Sequence, residues 1–398
     1  MLSVSEFDEQ DDRYSRLRLI PWWDQERIAS SKILVVGAGA LGNEILKNLA
    51  LLGFRNVVIV DLDCVEISNL SRTVLFRTRD LGRFKAIAAA EAYKELVDGA
   101  EIKPVVGNVM YGCGLGLFEW ADVIVAGLDN REARLWINRS AWKVGRPWVD
   151  GAIEGINGVA RVFIPGHPPC YECTLGEVDW AILDRRMSCN LLANRTDTEG
   201  RVPTTPTISS IIAGIQVQEA VKLLHGLPTL AGQGFVFEGM NHTSYKVEYT
   251  ENPDCMSHYT IPEWNRLPET SGQWTLHDLW RRARHDLSAT AVTIEFSRDV
   301  IWRFSCPRCG NIEELFAPVG SVPYERGACA CDRQQRVVDT IHNYSGTEPW
   351  GERQLSQLGL PLWDVFAARS SEREIGYIAE GDRTAVLGIA LAEESVPA

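Results

Sequence analysis

The stretch KILVVGAGALGNEILKNLALLGFRNVVIVD, residues 32–61, decides the fold. It opens with the short, β-branched apolar run Ile33–Val36, which is typical of a buried parallel strand. The glycine turn GAGALG follows at residues 37–42, then a helical pattern, a second apolar run at Val57–Val60, and Asp61. This order is the fingerprint of a nucleotide-binding unit: a strand, a GxGxxG turn, a helix, and a second strand that ends in an acid about 20 residues beyond the glycines.

The three glycines of the turn serve different purposes. Gly37 permits the tight turn, Gly39 lets the backbone approach a phosphate, and Gly42 allows close packing of the helix. The start of the helix adds unpaired N–H groups and the positive end of the helix dipole, which favour an anion. Because dehydrogenases, flavoproteins and methyltransferases use the same turn, these residues alone predict only a nucleotide.

Residues beyond the second strand narrow the nucleotide to ATP. The segment DLDCVEISNLSR, residues 61–72, places Asn69 and Arg72 just past the carboxyl end of that strand, where open α/β sheets bind ligands. Lys85 follows in GRFKA, and the motif GLDN brings Asp129 and Asn130 to the end of another apolar run. Arg and Lys suit a triphosphate, and an Asp at a strand end suits Mg²⁺. The pattern therefore predicts an ATP and magnesium site.

Four ordered motifs, GAGALG, DLDCVEISNLSR, GRFKA and GLDN, resemble the adenylation domain of the ubiquitin-activating enzyme superfamily. This superfamily includes the bacterial adenylyltransferases of molybdopterin and thiamin biosynthesis, and the resemblance runs from about residue 13 to about residue 258. It implies that Asp61 binds the ribose, that Lys85 and Arg72 contact the phosphates and that Asp129 holds the metal. The nucleotide-binding residues predicted in this way are Gly37, Gly39, Gly42, Asp61, Asp63, Asn69, Arg72, Lys85, Asp129 and Asn130.

Arg16 matches the family's N-terminal arginine, which reaches the ATP of the partner subunit. The resemblance therefore implies a homodimer.

The alternation of strands and helices up to about residue 150 predicts an α/β fold with a doubly wound, mainly parallel, Rossmann-like sheet. After about Glu263 the composition changes, which predicts a smaller C-terminal α+β domain. We expect an adenylation domain at residues 1–265 and an accessory domain at residues 270–398. Within the latter, residues 291–296 and 300–304 predict a hairpin. The position of this accessory domain suggests that it docks a carrier protein or a downstream enzyme. Its deletion is expected to spare the ATP chemistry but impair transfer.

Two groups of paired ligands predict structural zinc. Cys170 and Cys173 form a CxxC knuckle, and Cys255 and His258 repeat the two-residue gap. The resemblance implies a zinc site of two such pairs, usually four cysteines, so His258 would replace the last one. The alternative is that His258 is a surface residue and that a nearby cysteine or water completes the site.

A second zinc site is predicted in the C-terminal domain. Its ligands would be Cys306, Cys309, Cys329 and Cys331, a CxxC and a CxC pair separated by 19 residues. This spacing is typical of a zinc ribbon, and free thiols are the alternative.

Cys189 has no close cysteine or histidine neighbour in the sequence, so metal binding is not expected. Nearby arginines favour a thiolate there. In the activating enzymes that the chain resembles, the acceptor cysteine lies in a segment near the ATP site, which would correspond to about residues 178–203 here. A buried inert cysteine is the alternative. The catalytic residues expected are Cys189, Asp129, Lys85, Arg72 and Arg16.

The resemblance implies an ATP-dependent activating enzyme. It would adenylate the C-terminal glycine of a ubiquitin-like protein, form a thioester on Cys189 and pass the product to a conjugating enzyme. A second interpretation is adenylation of a sulfur-carrier protein without an enzyme thioester. A third is a scaffold that senses ATP without turnover.

Composition excludes other classes of partner. The chain has 398 residues and a formal net charge of −13, and it contains no basic cluster. Nucleic acid and anionic membrane surfaces are therefore poor partners. The first 16 residues lack the apolar region of a signal peptide, and no run approaches the roughly 20 apolar residues of a membrane span. We expect a cytoplasmic protein.

Overall fold

An eight-stranded sheet forms the first part of the chain. The computed structural model describes residues 12–187, 191–192, 203–389 and 391. The strands of this sheet are β1 (Lys32–Val36), β2 (Asn56–Asp61), β3 (Glu101–Val106), β4 (Val123–Ala126), β5 (Trp148–Glu154), β6 (Asn157–Phe163), β7 (Gln233–Glu238) and β8 (Thr243–Glu248). Their order is β3-β2-β1-β4-β5-β6-β7-β8, parallel from β3 to β5 and antiparallel beyond.

Helices cover both faces of this sheet. They are α1 (Gln25–Ser30), α2 (Ala40–Leu52), α3 (Lys85–Leu96), α4 (Leu115–Trp120), α5 (Arg131–Val144), α6 (Glu177–Met187) and α7 (Pro206–Leu224). The alternation of apolar residues along β1 explains the layers. Ile33 and Val35 pack in one core with α2, α3 and α7, whereas Leu34 and Val36 pack in another with α4 and α5. The predicted doubly wound α/β fold is confirmed.

A smaller sheet follows. Its elements are β9 (Trp264–Leu267), α8 (Leu276–Asp286), β10 (Thr293–Ser305), β11 (Ile312–Pro318), β12 (Val337–Tyr344), β13 (Val365–Arg369), β14 (Glu374–Ala379) and α9 (Arg383–Leu387). The strand order is β11-β10-β13-β14-β9, and β12 pairs with β10. Since β9 begins at Trp264 and pairs with β14, we propose a domain boundary just before Trp264, slightly earlier than the sequence predicts.

The predicted hairpin at residues 291–304 is wrong. This stretch is one long strand, β10, which pairs with β13 at its start and with β11 at its end. The ladder to β12 is interrupted between Glu295 and Val300. A bend of this kind lets one strand change partners without reversing direction.

The two sheets share an apolar core. Trp363, Val365 and Ile378 are each 1% exposed and pack in the same cluster as Leu115 and Phe118 of the first part. Within the described residues, none of the helices has both the length and the apolar character needed to cross a membrane.

Candidate functional site

A cleft of about 890 Å³ opens at the carboxyl ends of β1, β2 and β4, which is where open α/β sheets bind ligands. It brings together most of the residues predicted to bind a nucleotide. These are Gly37, Gly39, Asp61, Asp63, Asn69, Arg72, Lys85, Asp129 and Asn130. Residues more than 90 positions apart in sequence therefore surround one space large enough for a nucleotide.

The glycine turn forms the floor of this cleft. Gly37 has φ +92°, and its N–H donates to Val60 O at 2.8 Å. A Cβ on Gly42 would lie only 1.9 Å from Gly37 O, so helix α2 packs directly against the turn. A Cβ on Gly39 would meet no atom within 4 Å. The open side of Gly39 is thus available to a ligand.

Asp61 ties the glycine turn to the end of β2. Its two carboxylate oxygens accept hydrogen bonds from the backbone N–H groups of Ala38 at 2.7 Å and Asp63 at 2.8 Å. Burial raises the pKa of Asp61, and the two backbone hydrogen bonds and the nearby Lys85 oppose that rise. The side chain is thereby fixed at the edge of the cleft.

Two cations lie on one wall of the cleft. Lys85 is buried, and its Nζ donates to Asp63 Oδ2 at 2.8 Å. Arg72 Nη1 donates to Ser68 O at 3.0 Å. Asn69 Oδ1 accepts from the N–H of Glu66 at 2.9 Å, which fixes the turn that carries Arg72. The ammonium and guanidinium groups suit an anionic ligand.

Helix α5 begins on the opposite side of the cleft. Asn130 caps it by accepting from the N–H of Ala133 at 2.6 Å, and the carboxylate of Asp129 is exposed beside this cap. Arg131 Nε lies 2.6 Å from Asp179 Oδ1 of α6. An exposed carboxylate at a strand end is a suitable ligand for Mg²⁺.

Sequence reasoning missed a buried ionic group beside the cleft. Asp150, the third residue of β5, is fully buried, and it pairs with Arg134 of α5 at 2.9 Å and with Arg161 of β6. Both arginines line the cleft. Burial alone would raise the pKa of Asp150, but the charges of Arg161 and Arg134 outweigh it and lower that pKa. An acid that directly follows apolar residues, as Asp61 does, was the available signal.

The first group of candidate zinc ligands brings together two pairs of residues that are far apart in the sequence. Cys170 Sγ lies 3.8 Å from Cys173 Sγ and 3.6 Å from Cys255 Sγ, and Cys173 Sγ lies 3.3 Å from His258 Nε2. A tetrahedron with Zn–S distances of about 2.3 Å has edges of about 3.8 Å. The four side chains therefore fit one zinc ion, with His258 as a member of the group.

The second group has a similar geometry. Cys306 Sγ lies 3.7 Å from Cys331 Sγ, and Cys309 Sγ lies 3.7 Å from Cys329 Sγ. All four sulfur atoms lie within 4.8 Å of one another. Four cysteine thiolates around one centre are typical of a structural zinc site.

The ThiF family matches residues 12–257 of the chain. The chain belongs to the ThiF family. This confirms the resemblance that the four motifs indicated. The matched region contains the cleft and three of the first four candidate zinc ligands, and it ends one residue before His258.

Curated ThiF relatives include the NEDD8-activating enzyme E1 catalytic subunit of Arabidopsis thaliana, 42% identical over 157 residues, which are 36% of this chain and 34% of the relative. Another is the SUMO-activating enzyme subunit uba-2 of Caenorhabditis elegans, 38% identical over 157 residues, 39% of this chain and 27% of the relative. The chain thus spans about a third of the length of the curated relatives it matches.

Solved structures support the fold of this ThiF chain. MccB of E. coli in complex with ATP superposes with a TM-score of 0.52 at 19% identity, covering 63% of this chain and 75% of MccB. MccB with AMPCPP and MccA gives the same TM-score. At this identity the likeness supports the fold alone.

Two described residues of the ThiF chain that were predicted for the ATP chemistry lie apart from the cleft lining. Gly42 packs behind the turn. Arg16 is exposed, just before a 3₁₀ turn at Leu17–Leu19, outside the cleft. Cys189 lies outside the residues that the structure describes.

Proposed function

We propose that the chain is an ATP-dependent activating enzyme that adenylates the C-terminal glycine of a ubiquitin-like protein. The observation that carries the proposal is the single cleft that gathers Asp61, Arg72, Lys85 and Asp129 around the open side of Gly39. The relatives support the substrate class, because one is a NEDD8-activating enzyme E1 catalytic subunit and another is a SUMO-activating enzyme subunit.

The proposed chemistry is acyl adenylation. A carboxylate oxygen of the substrate attacks the α-phosphorus of ATP, the bond to the β-phosphate oxygen breaks, and pyrophosphate leaves. Negative charge gathers on the phosphates, and Lys85 and Arg72, which line the same cleft as the glycine turn, would offset it. Mg²⁺, for which Asp129 supplies an exposed carboxylate, would neutralise further phosphate charge. The N-terminus of α2 adds backbone N–H groups at the same point.

The decisive experiment is ATP–pyrophosphate exchange with candidate ubiquitin-like carriers. Asp129→Ala should reduce exchange at least about a hundredfold. Asp98→Ala, which changes an exposed acid in the turn after α3, should leave exchange unchanged. If the unmodified protein binds ATP but shows no exchange with any carrier, the enzyme proposal is rejected in favour of a nucleotide-sensing scaffold.

We further propose that Cys189 takes over the activated carboxyl group. Its thiolate would attack the acyl carbon, AMP would leave, and the thioester would pass to the cysteine of a conjugating enzyme. The E1 relatives support this step. Cys189→Ala should keep the exchange reaction and remove any adduct that dithiothreitol cleaves. If the unmodified protein forms no such adduct, adenylation of a sulfur carrier without a thioester becomes the better proposal.

The position of Arg16 supports a homodimer in which this residue serves the partner's cleft, since it lies outside the cleft of its own chain. Mixing Arg16→Ala with Asp129→Ala tests this proposal. If Arg16 acts across the dimer, mixed dimers contain one intact site, and the mixture should recover about a quarter of the wild-type exchange rate. A mixture as inactive as its components would show that Arg16 acts within its own chain.

Zinc in both cysteine-containing groups is the final part of the proposal. Each group offers four protein ligands, which leaves no open coordination position. The role proposed for both ions is therefore structural.

A further inference from the structure

One wall of the cleft is a loop that the second sheet holds in place. This cleft loop, residues 107–113, connects β3 to α4, and Gly107, Asn108 and Val109 line the cleft. At its first residue, the N–H of Gly107 donates to Asp61 O at 3.2 Å. The loop contains two glycines and a third follows directly, so its own backbone preferences do not fix its shape.

Arg298 of β10 holds the far end of the cleft loop. Its Nη1 donates to Met110 O at 2.6 Å and its Nη2 to Cys113 O at 2.8 Å. The side chain is only 4% exposed. Its guanidinium also lies 4.8 Å from the ring of Trp136, which belongs to α5, the helix that starts beside Asp129. One side chain of the second sheet thus touches both elements that flank the cleft.

Asp364 orients Arg298 and the start of α4 together. Its Oδ2 lies 3.4 Å from Arg298 Nη2, and its Oδ1 accepts from the N–H of Leu115 at 2.8 Å. The N–H of Gly116 donates to Trp363 O at 3.0 Å. Trp363 has φ +54°, an unusual conformation for a bulky residue, and it persists only where surrounding contacts determine it.

We propose that Arg298 is a positioning residue for nucleotide binding, through which the second sheet sets the shape of the cleft loop. The proposal rests on the assignment of the cleft as an ATP site. Without Arg298, the carbonyls of Met110 and Cys113 lose buried donors, and the loop relaxes into several conformations. Only one of these conformations binds the nucleotide, so the apparent affinity falls in proportion to the fraction of molecules in that conformation.

The test is calorimetric titration of the full chain with magnesium and AMPCPP, an ATP analogue, well below the melting temperature. Arg298→Ala should weaken binding about tenfold or more. Arg298→Lys keeps the charge beside Asp364 but cannot reproduce the two-pronged donation, so its affinity should fall between those of the other two proteins. Arg303→Ala, on the same strand but paired with Asp339 near the surface, should bind within about twofold of wild type.

Leu279→Ala separates positioning from general destabilisation, because Leu279 is buried in the core of the second sheet around α8. It should lower the melting temperature and leave affinity unchanged. The inference is overturned if Leu279→Ala and Arg298→Ala lose affinity equally. It is also overturned if either folded Arg298 variant binds with wild-type affinity. If the unmodified chain does not bind the analogue, the ATP site itself is rejected, which is a different result from unchanged binding in the variants.

Discussion

Two glycines of one turn have different physical roles, and substitution by alanine separates them. In Gly42→Ala the new methyl group would overlap Gly37 O, a backbone atom that cannot move aside. We expect the free energy of unfolding to fall by about 3 kcal/mol or more, because overpacking against backbone cannot relax. In Gly39→Ala the methyl group enters open space, so stability should change by less than about 1 kcal/mol.

Nucleotide affinity should fall more in Gly39→Ala than in Gly42→Ala, which is the opposite order to stability. The methyl group of Gly39→Ala occupies the space through which a phosphate would approach, so we expect ATP binding to weaken about tenfold, or ~1.4 kcal/mol. Urea denaturation and calorimetric titration of the same two variants measure both effects. Normal ATP binding by Gly39→Ala would show that the phosphates lie elsewhere.

Asp150 predicts a pH-dependent contribution to stability. Its pKa is lowered in the folded chain relative to 3.8, so its carboxylate stabilises the fold above about pH 4 and that contribution is lost as the pH falls through the folded pKa. Asp150→Asn leaves Arg134 and Arg161 buried without their counter-charge. We expect a loss of about 3–5 kcal/mol at pH 7 and a narrowing gap to wild type below about pH 4.

Chemical denaturation across pH measures this gap. Asp179→Asn is the matched control, because its ion pair with Arg131 is partly exposed and should contribute at most about 1 kcal/mol. A gap that stays constant down to pH 2 would mean that the charge of Asp150 is not what stabilises the fold.

At the scale of residues, the sequence predicted what is local. Asp61, Lys85 and Asp129 each follow a strand or turn whose pattern is visible in the chain, and the topology brings such strand ends together. Arg134 was missed because Asp150 lies 16 positions away, and Arg298 because the two carbonyl groups that it holds lie 188 and 185 positions away. Their significance depends on contacts that no local pattern contains.

Helix α5 connects the cleft with the first group of candidate zinc ligands. Asn130 begins the helix at the cleft. Farther along, Asn138 Oδ1 accepts from the N–H of Tyr171 at 3.0 Å, and the ring of Trp142 stacks on that of His258 at 4.6 Å. Since a ligand side chain and a residue of the knuckle both rest on α5, we expect zinc to stabilise the helix that presents Asp129.

Zinc content tests both groups of ligands. The purified chain should carry about two zinc ions, and Cys255→Ser or Cys331→Ser should each carry about one. Cys64→Ser changes an exposed cysteine outside both groups and should keep two. Metal analysis by mass spectrometry gives the count. If His258→Ala keeps full zinc content and affinity, a water or another residue is the fourth ligand.

At the scale of elements, β10 shows why the sequence misled. Ser297, Arg298 and Asp299 interrupt two apolar runs, and polar residues in that position usually mark a turn. Here the chain continues, because Arg298 finds buried carbonyl partners in the first part of the molecule. The capping box at the start of α8, by contrast, is local, because Thr275 and Asp278 each accept from the backbone N–H of the other.

At the scale of the whole molecule, the two sheets are joined by more than a linker. Nη2 of Arg266 in β9 donates to both carboxylate oxygens of Glu119 in α4, each at 3.0 Å. Beneath it, Trp363 and Ile378 of the second part are buried against α4. An interface with a shared apolar core behaves as part of one folding unit, whereas a docking module has a smaller and more polar contact.

Removal of residues 264–398 should therefore unfold the remainder, contrary to the expectation that the C-terminal part is dispensable for ATP chemistry. Phe118 and Leu115 are at most 1% exposed in the full chain, and the truncation would uncover their side of α4. Each large apolar side chain contributes roughly 1.5–3 kcal/mol when buried. A few of them equal the 5–15 kcal/mol that typically stabilises a whole domain.

We expect the truncated protein to aggregate and to show no cooperative melting transition. Supplying residues 264–398 as a separate chain during expression should restore solubility if the shared core is responsible. If the truncated protein is soluble, melts cooperatively and binds ATP like the full chain, the second sheet is a detachable module. The anchoring of the cleft loop by Arg298 would then have no part in nucleotide binding.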